Sequence, residues 1–161
     1  MPAVLRRRYS DGMSDLRLEE LSASNISAVN GLSLKPGQEQ FIAPVSYSAA
    51  AAVIDPGASW QRAVMDGDEL VGFIHAHFDP EAAEEFRSCI WRINIDAAKQ
   101  GRGVGTFAVR ATADEARARG FDTLTVIWES GEDGPEQFFR WIGFEVVGET
   151  QYGENIGALT L

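Results

Sequence analysis

The chain has 161 residues, 45% of them hydrophobic and 24% charged, which suits one domain with a sizeable core. Fourteen basic residues stand against 24 acidic ones, a net charge of −10. That balance speaks against nucleic acid, which asks for a basic face, and favours a cationic partner. No run of roughly 18 apolar residues suggests a membrane span. One cysteine, Cys89, with no Cys/His cluster near it, excludes an internal disulfide, makes a metal site improbable and fits a reducing cytoplasm.

Residues 1–12 contain Arg6-Arg7-Arg8 but no apolar stretch behind them, so they read as a mobile extension rather than a secretory leader, with the domain spanning 13–161. Leu16–Leu21 alternates and predicts a first strand. Ser22 and Ser24 offer caps to a helix over about 25–33, Pro36-Gly37 breaks the chain, and 38–54 predicts a second helix or pair of turns. Trp60–Met65 and Leu70–Phe78 flank Asp66-Gly67-Asp68 and predict a β-hairpin. A polar link leads to a strand over about 87–96, then a glycine loop and a helix closed at Gly120. Leu124–Trp128 predicts a buried strand, Pro135 opens a helix over 135–142, and two last strands follow around Gly148 and Tyr152-Gly153. A terminal strand pair of this kind is suited to a homodimer.

The glycine loop, Lys99-Gln-Gly-Arg-Gly-Val-Gly-Thr106, carries the chemistry. A strand feeding a glycine turn and then a helix makes an anion site. Glycine lets the backbone approach closely at positive φ, and the helix's unpaired N–H groups and dipole face the bound charge. Arg102 adds a fixed cation suited to phosphate. A dinucleotide fingerprint would need glycine where Thr106 stands, and a Walker loop needs Gly-Lys-Ser/Thr. For an isolated glycine cluster the plain alternative is a flexible loop before a helix.

The remaining pattern, Gln100-x-x-Gly103-x-Gly105, resembles the coenzyme A loop of the GNAT superfamily of N-acetyltransferases, and Phe138-Phe139-Arg140-Trp141-Ile142-Gly143-Phe144 resembles that family's later Phe/Leu-Tyr-x-x-x-Gly-Phe segment. The resemblance covers roughly residues 15–161. It implies an α/β fold of βααβββαβαββ order, a GNAT-like mixed central sheet with helices on both faces. It also implies acetyl-CoA as co-substrate, held by the backbone of Ile93, Asn94 and Ile95, by Gln100, Gly101, Arg102, Gly103, Val104, Gly105 and Thr106, and by Phe138 and Phe139. Many relatives have tyrosine at the position of Phe139, an acid for the departing thiolate. Tyr152 is the candidate to replace it here.

Acetyl transfer also needs a neutral amine. For a lysine-like group, deprotonation at pH 7 costs about 4.6 kcal/mol, so a base, a water chain or capture of the neutral form is required. Glu129, at the end of the strand facing the expected thioester, is the first candidate for proton relay, with Glu132 and Asp133 as alternates. His75 and His77 share a strand face with Phe73 and read as structural, and Cys89 as a buried apolar residue.

Glu39-Gln40-x-Ile42-Ala43-Pro44, Tyr47-Ser48, Trp60, Val71-Gly72-Phe73 and Trp91-Arg92-x-x-Ile95-Asp96 together resemble bacterial diamine and spermine/spermidine acetyltransferases. That likeness implies a small cationic amine of polyamine type, bound by Glu39, Tyr47 and Glu129. Val45 and Trp91 depart from it. Aminoglycoside-like amines and peptide N-termini are alternative acceptors, and a non-catalytic coenzyme A sensor is the alternative from another class.

Overall fold

The structure is a computed structural model that describes residues 6–8, 15–31, 57–129, 131, 134–150 and 153–161. Eight strands among these residues form one sheet: β1 (Arg6–Arg8), β2 (Asp15–Glu20), β3 (Ser59–Asp66), β4 (Glu69–Phe78), β5 (Ser88–Ile95), β6 (Thr123–Trp128), β7 (Glu145–Glu149) and β8 (Asn155–Thr160). Their order is β1-β2-β3-β4-β5-β6-β8-β7. Neighbours are antiparallel except β5 and β6, which run parallel. Three α-helices belong to the described residues: α1 (Ile26–Asn30), α2 (Val104–Ala118) and α3 (Glu136–Ile142). The expected mixed α/β sheet is thus present.

Three details differ from the sequence reading. Arg6–Arg8, inside the stretch read as a mobile extension, pairs with Asp15–Arg17 as an edge strand. The first helix is shorter than expected, ending at Asn30. Gly153 sits at φ +79 in the final turn rather than in a strand, so the last strand starts at Asn155. The second helix expected over 38–54 lies outside the described residues.

The β3–β4 hairpin turns at Gly67, whose φ of +60 suits glycine. Along β4, side chains alternate. Ile74, Ala76 and Phe78 join the main core with Leu16, Trp60, Ile90, Leu124 and the α2 residues Phe107, Ala108 and Val109. Phe73 points the other way, onto Val29 of α1 and Ala63. Helices therefore cover both faces, with α2 and α3 on one and α1 on the other.

Candidate functional site

The sheet opens where its one parallel pair ends. Strands β5 and β6 are in register only at Cys89↔Thr125 and Ile90↔Val126. On the other side of β5, the β4 ladder steps from His75↔Arg92 to Ala76↔Ile90, which leaves Trp91 as the extra residue of a β-bulge. A bulge bends its strand and raises the local twist. It also turns two successive side chains to one face: Trp91 stacks on His77 at 4.7 Å, and Arg92 stands opposite His75. Beyond Ile90, β5 keeps β4 on one side while β6 departs on the other. The gap between them is a cleft lined by Trp91, Arg92, Ile93, Val126, Trp128 and Phe139, among others. Ile90, Val126, Trp128 and Phe139 belong to the core on the α2 face, whereas Trp91 and Arg92 project to the opposite face. Residues of both sheet faces line the cleft.

The edge of β5 bordering this cleft carries Ile93, Asn94 and Ile95. Side chains of Ile93 and Ile95 pack on the core, so their backbone can serve a ligand while the side chains stabilise the fold. Asn94 is buried, and its Oδ1 has no hydrogen-bond partner among the described residues.

The glycine loop follows directly. Gln100 Nε2 donates to the Ile95 carbonyl at 2.9 Å and ties the loop to the strand end. Lys99 Nζ meets Glu69 Oε2 at 3.1 Å. Gly101 and Gly103 have φ of +80 and +82, and a Cβ on either would meet nothing within 4 Å. The loop's outer surface is therefore open to close approach. Gly103 is the N-cap of α2, no side chain caps that end, and no acidic residue sits in the first turn, so the helix end remains favourable for an anion. Arg102 is exposed beside it, Val104 is buried in the core, and Thr106 is half-buried. These residues fit a diphosphate.

The second motif touches the first. A Cβ on Gly105 would lie 2.9 Å from Phe138 Cζ, so the first turn of α2 sits against the Phe138 ring. Phe139 is buried, its ring meeting Phe138 and Phe144 edge-on and lying near-parallel to Trp128. Gly105 thus meets both Phe138 and Ile95, and Phe138 meets Phe139, which brings the strand end, the loop and the second motif together.

Of the proton-relay and acceptor candidates, Glu129 alone belongs to the described residues. Glu129 is exposed, one residue past β6. Glu39, Tyr47, Glu132, Asp133 and Tyr152 lie outside the described residues. On the face away from α2, however, a hollow is lined by Glu85, Ile127, Glu149, Thr150, Glu154 and Ile156. The β7–β8 turn holds Glu154 in place, since Thr150 N donates to the Glu154 carbonyl at 2.8 Å and Glu154 N donates to Thr150 Oγ1 at 3.2 Å. Thr125 Oγ1 donates to the Glu85 carbonyl and anchors the turn before β5. Sequence reading passed over these carboxylates because Glu85 lies far from Glu149 and Glu154 in the chain and only strand pairing assembles them.

Burial sets the nearby titrations. His75 is fully buried, and its pKa falls to about 4, mainly by desolvation, with Arg92 and His77 adding positive charge nearby. Its Nε2 shares a 3.1 Å hydrogen bond with Ser59 Oγ. The Arg92 guanidinium is also lowered by burial, an effect opposed by Glu154. Burial pushes the Cys89 thiol up to about 12, which agrees with an inert core residue. Among the described residues no group of three or more His, Cys, Asp or Glu could hold a metal, and no helix is long and apolar enough to cross a membrane.

The family model described as "Acetyltransferase (GNAT) family" matches residues 29–144. No curated protein matches the chain in sequence. Among solved structures, the GNAT domain of S. lividans PAT is 16% identical, covers 100% of this chain and 99% of its own, and superposes with a TM-score of 0.78. An aminoglycoside acetyltransferase in complex with coenzyme A is 14% identical over 91% of this chain and 95% of its own, with a TM-score of 0.71. The ribosomal-protein-S18-alanine N-acetyltransferase from Escherichia coli is 16% identical over 90% of this chain and 93% of its own, with a TM-score of 0.66. At these identities the likeness is one of fold.

Proposed function

The chain belongs to the GNAT acetyltransferase family, and from that premise we propose that it transfers an acetyl group from acetyl-CoA to a primary amine of a small cationic acceptor, polyamines being the favoured class. One observation carries the reading: β5, which lines the cleft between β5 and β6, runs directly into the open glycine loop, and Gln100 ties that loop to the strand end.

In this reading, the amides from Gly101 to Gly105 and the start of α2 receive the diphosphate, aided by Arg102. The free edge of Ile93, Asn94 and Ile95 offers amides to the pantetheine arm and to the carbonyl oxygen as charge develops on it, the type of preorganised donor that lowers an acyl-transfer barrier most. Phe138 and Phe139 wall the arm. The amine arrives from the opposite face. Glu149, Glu154 and Glu85 attract its distal ammonium, while the apolar walls beside Trp91 and Ile127 favour a neutral reacting nitrogen. Glu129 relays the surplus proton outward. Glu39 and Tyr47 complete the acceptor site, and Tyr152 supplies a hydroxyl near the departing thiolate. A reducing cytoplasm is the setting, and β7, at the sheet's edge with Val147 exposed, offers a homodimer contact.

A second reading is a coenzyme A sensor without turnover, favoured by Phe139, whose ring carries no acid. Thiol release from acetyl-CoA, followed across diamines, polyamines, aminoglycosides and peptide amines at several ionic strengths, tests both. Turnover of polyamines with kcat/KM falling as salt rises supports the proposal, because steering between exposed charges is screened. Preference for peptide amines overturns the acceptor class. Tight coenzyme A binding with no thiol release from any amine supports the sensor.

A further inference from the structure

Trp128 forms part of the β6 wall of the cleft and carries a donor with nothing to bond. The residue is 2% exposed, and its Nε1 has no hydrogen-bond partner among the described residues. Buried N–H groups are nearly always paired, so an unpaired one calls for a reason. The ring's placement shows where this donor points. A Cβ on Gly157 would come within 2.4 Å of Cζ3 and 2.7 Å of Cη2, so the benzo edge of the indole rests on β8. Nε1 belongs to the five-membered ring, beyond the ring fusion from that edge. Strands β8 and β5 flank β6 on its two sides. The half of the ring that carries the N–H therefore lies on the β5 side, beside the gap that Trp128 lines. Phe139 covers the indole at a centroid distance of 5.5 Å and an interplanar angle of 21°, and contributes only carbon.

Depth in the cleft narrows the choice of acceptor atom. Val126 is level with Ile90, so Trp128, two residues on, stands level with Arg92, just inside the bulge. On the acetyl-CoA reading, an acyl carrier entering from the glycine loop beyond Ile95 would bring its thioester to this depth. Its carbonyl oxygen already has the amides of β5 on the facing wall. Its sulfur, opposite Phe139, receives no hydroxyl from that ring.

We propose that the Trp128 indole N–H is a hydrogen-bond donor to the thioester sulfur and stabilises the thiolate as it departs. The inference rests on the acetyl-CoA reading above. As the amine nitrogen bonds to the carbonyl carbon, the C–S bond breaks and its electron pair passes to sulfur. The surplus proton on the former amine leaves through a carboxylate or solvent. Trp128 keeps its own proton throughout, since indole donates hydrogen bonds only. A bond from N–H to an anion is among the stronger kinds in a dry site.

The test follows the Trp128 indole N–H resonance by heteronuclear NMR on the full chain, assigned by its disappearance in Trp128→Phe. Coenzyme A should shift it, more so as the thiol ionises, and desulfo-coenzyme A should not, while the amides of Gly103 and Gly105 should respond to both. Equal shifts of the indole signal with both ligands overturn the proposal and leave the acetyl-CoA reading standing. No response of Gly103 and Gly105 to either ligand removes both. In a second variant, benzothienylalanine at position 128 keeps the ring shape and replaces the N–H by sulfur. It should lower kcat by about tenfold to a hundredfold, the size of one charge-assisted hydrogen bond, with coenzyme A affinity and Tm unchanged. An unchanged kcat overturns the proposal.

Discussion

Gly105, in the first turn of α2, lies under the ring of Phe138 so closely that a Cβ would fall 2.9 Å from Cζ. Thirty-three residues apart in sequence, the two motifs meet here. Gly105→Ala should destabilise the fold by about 1 kcal/mol, the low end of overpacking, because the obstructing atom is the tip of a half-buried ring. Adding Phe138→Leu should recover most of that loss in urea denaturation. Simple additivity of the two changes would show that the contact does not matter.

Gly103→Val separates folding from binding. A β-branched residue at φ +82 costs about 1–2 kcal/mol in backbone strain, although its Cβ meets no protein atom within 4 Å. It would instead occupy the phosphate's path. Tm should drop by a few degrees, while the KM for acetyl-CoA rises about tenfold or more, as expected when charge-assisted bonds to the loop are lost. A KM within twofold of wild type would move the diphosphate away from this loop.

Phe139→Tyr restores the hydroxyl that many family members carry. The ring is held by Trp128, Phe138 and Phe144, so its orientation should persist and coenzyme A affinity should stay unchanged. Stopped-flow thiol release should show a higher kcat. Collapse of coenzyme A affinity would mean that position 139 packs against the ligand more tightly than its place in the cleft implies.

His75 predicts an acid limit to stability. Its folded pKa of about 4 lies below the unfolded value near 6.5, so the unfolded chain binds the extra proton first. The contribution is complete above pH 6.5, declines as pH falls, and is gone once pH has passed below 4. It amounts to about 3 kcal/mol. In wild type, the denaturation midpoint should fall across that window, and His75→Gln, which keeps a partner for Ser59, should flatten the decline. An identical pH profile in the variant would assign the acid sensitivity elsewhere.

Glu149→Gln and Glu154→Gln address the acceptor. If these carboxylates draw in a distal ammonium, each change should raise the KM for a diamine about threefold to tenfold and weaken its salt dependence. The KM for acetyl-CoA should not move. Equal effects on diamines and uncharged monoamines would separate the hollow from substrate binding.

Much of this architecture could be read from local residue patterns. Asp66-Gly67-Asp68 marks a turn that only glycine closes comfortably, and the hairpin boundaries observed lie within about a residue of those expected. Gly120, at φ +89, ends α2 where a glycine after a helical run should. The glycine loop is legible because its backbone conformation demands the residue type. The bulge at Trp91 is not, since no glycine or proline marks it and the extra residue shows only against the partner strand, between His75 and Ala76. That one residue decides that Ile93 and Ile95, rather than Arg92 and Asn94, turn to the core. Trp128 reads as one more apolar strand residue until Gly157, distant in sequence, fixes the direction of its ring.

Because the opening in the sheet is lined from both faces, neither reactant has to vacate the centre for the other to reach it. The sole thiol, Cys89, is buried and held protonated, so it is no relay station for the acetyl group. Initial-rate plots at several fixed concentrations of the second reactant should therefore converge rather than run parallel, the mark of a ternary complex. No labelled protein should survive rapid quenching with radioactive donor alone.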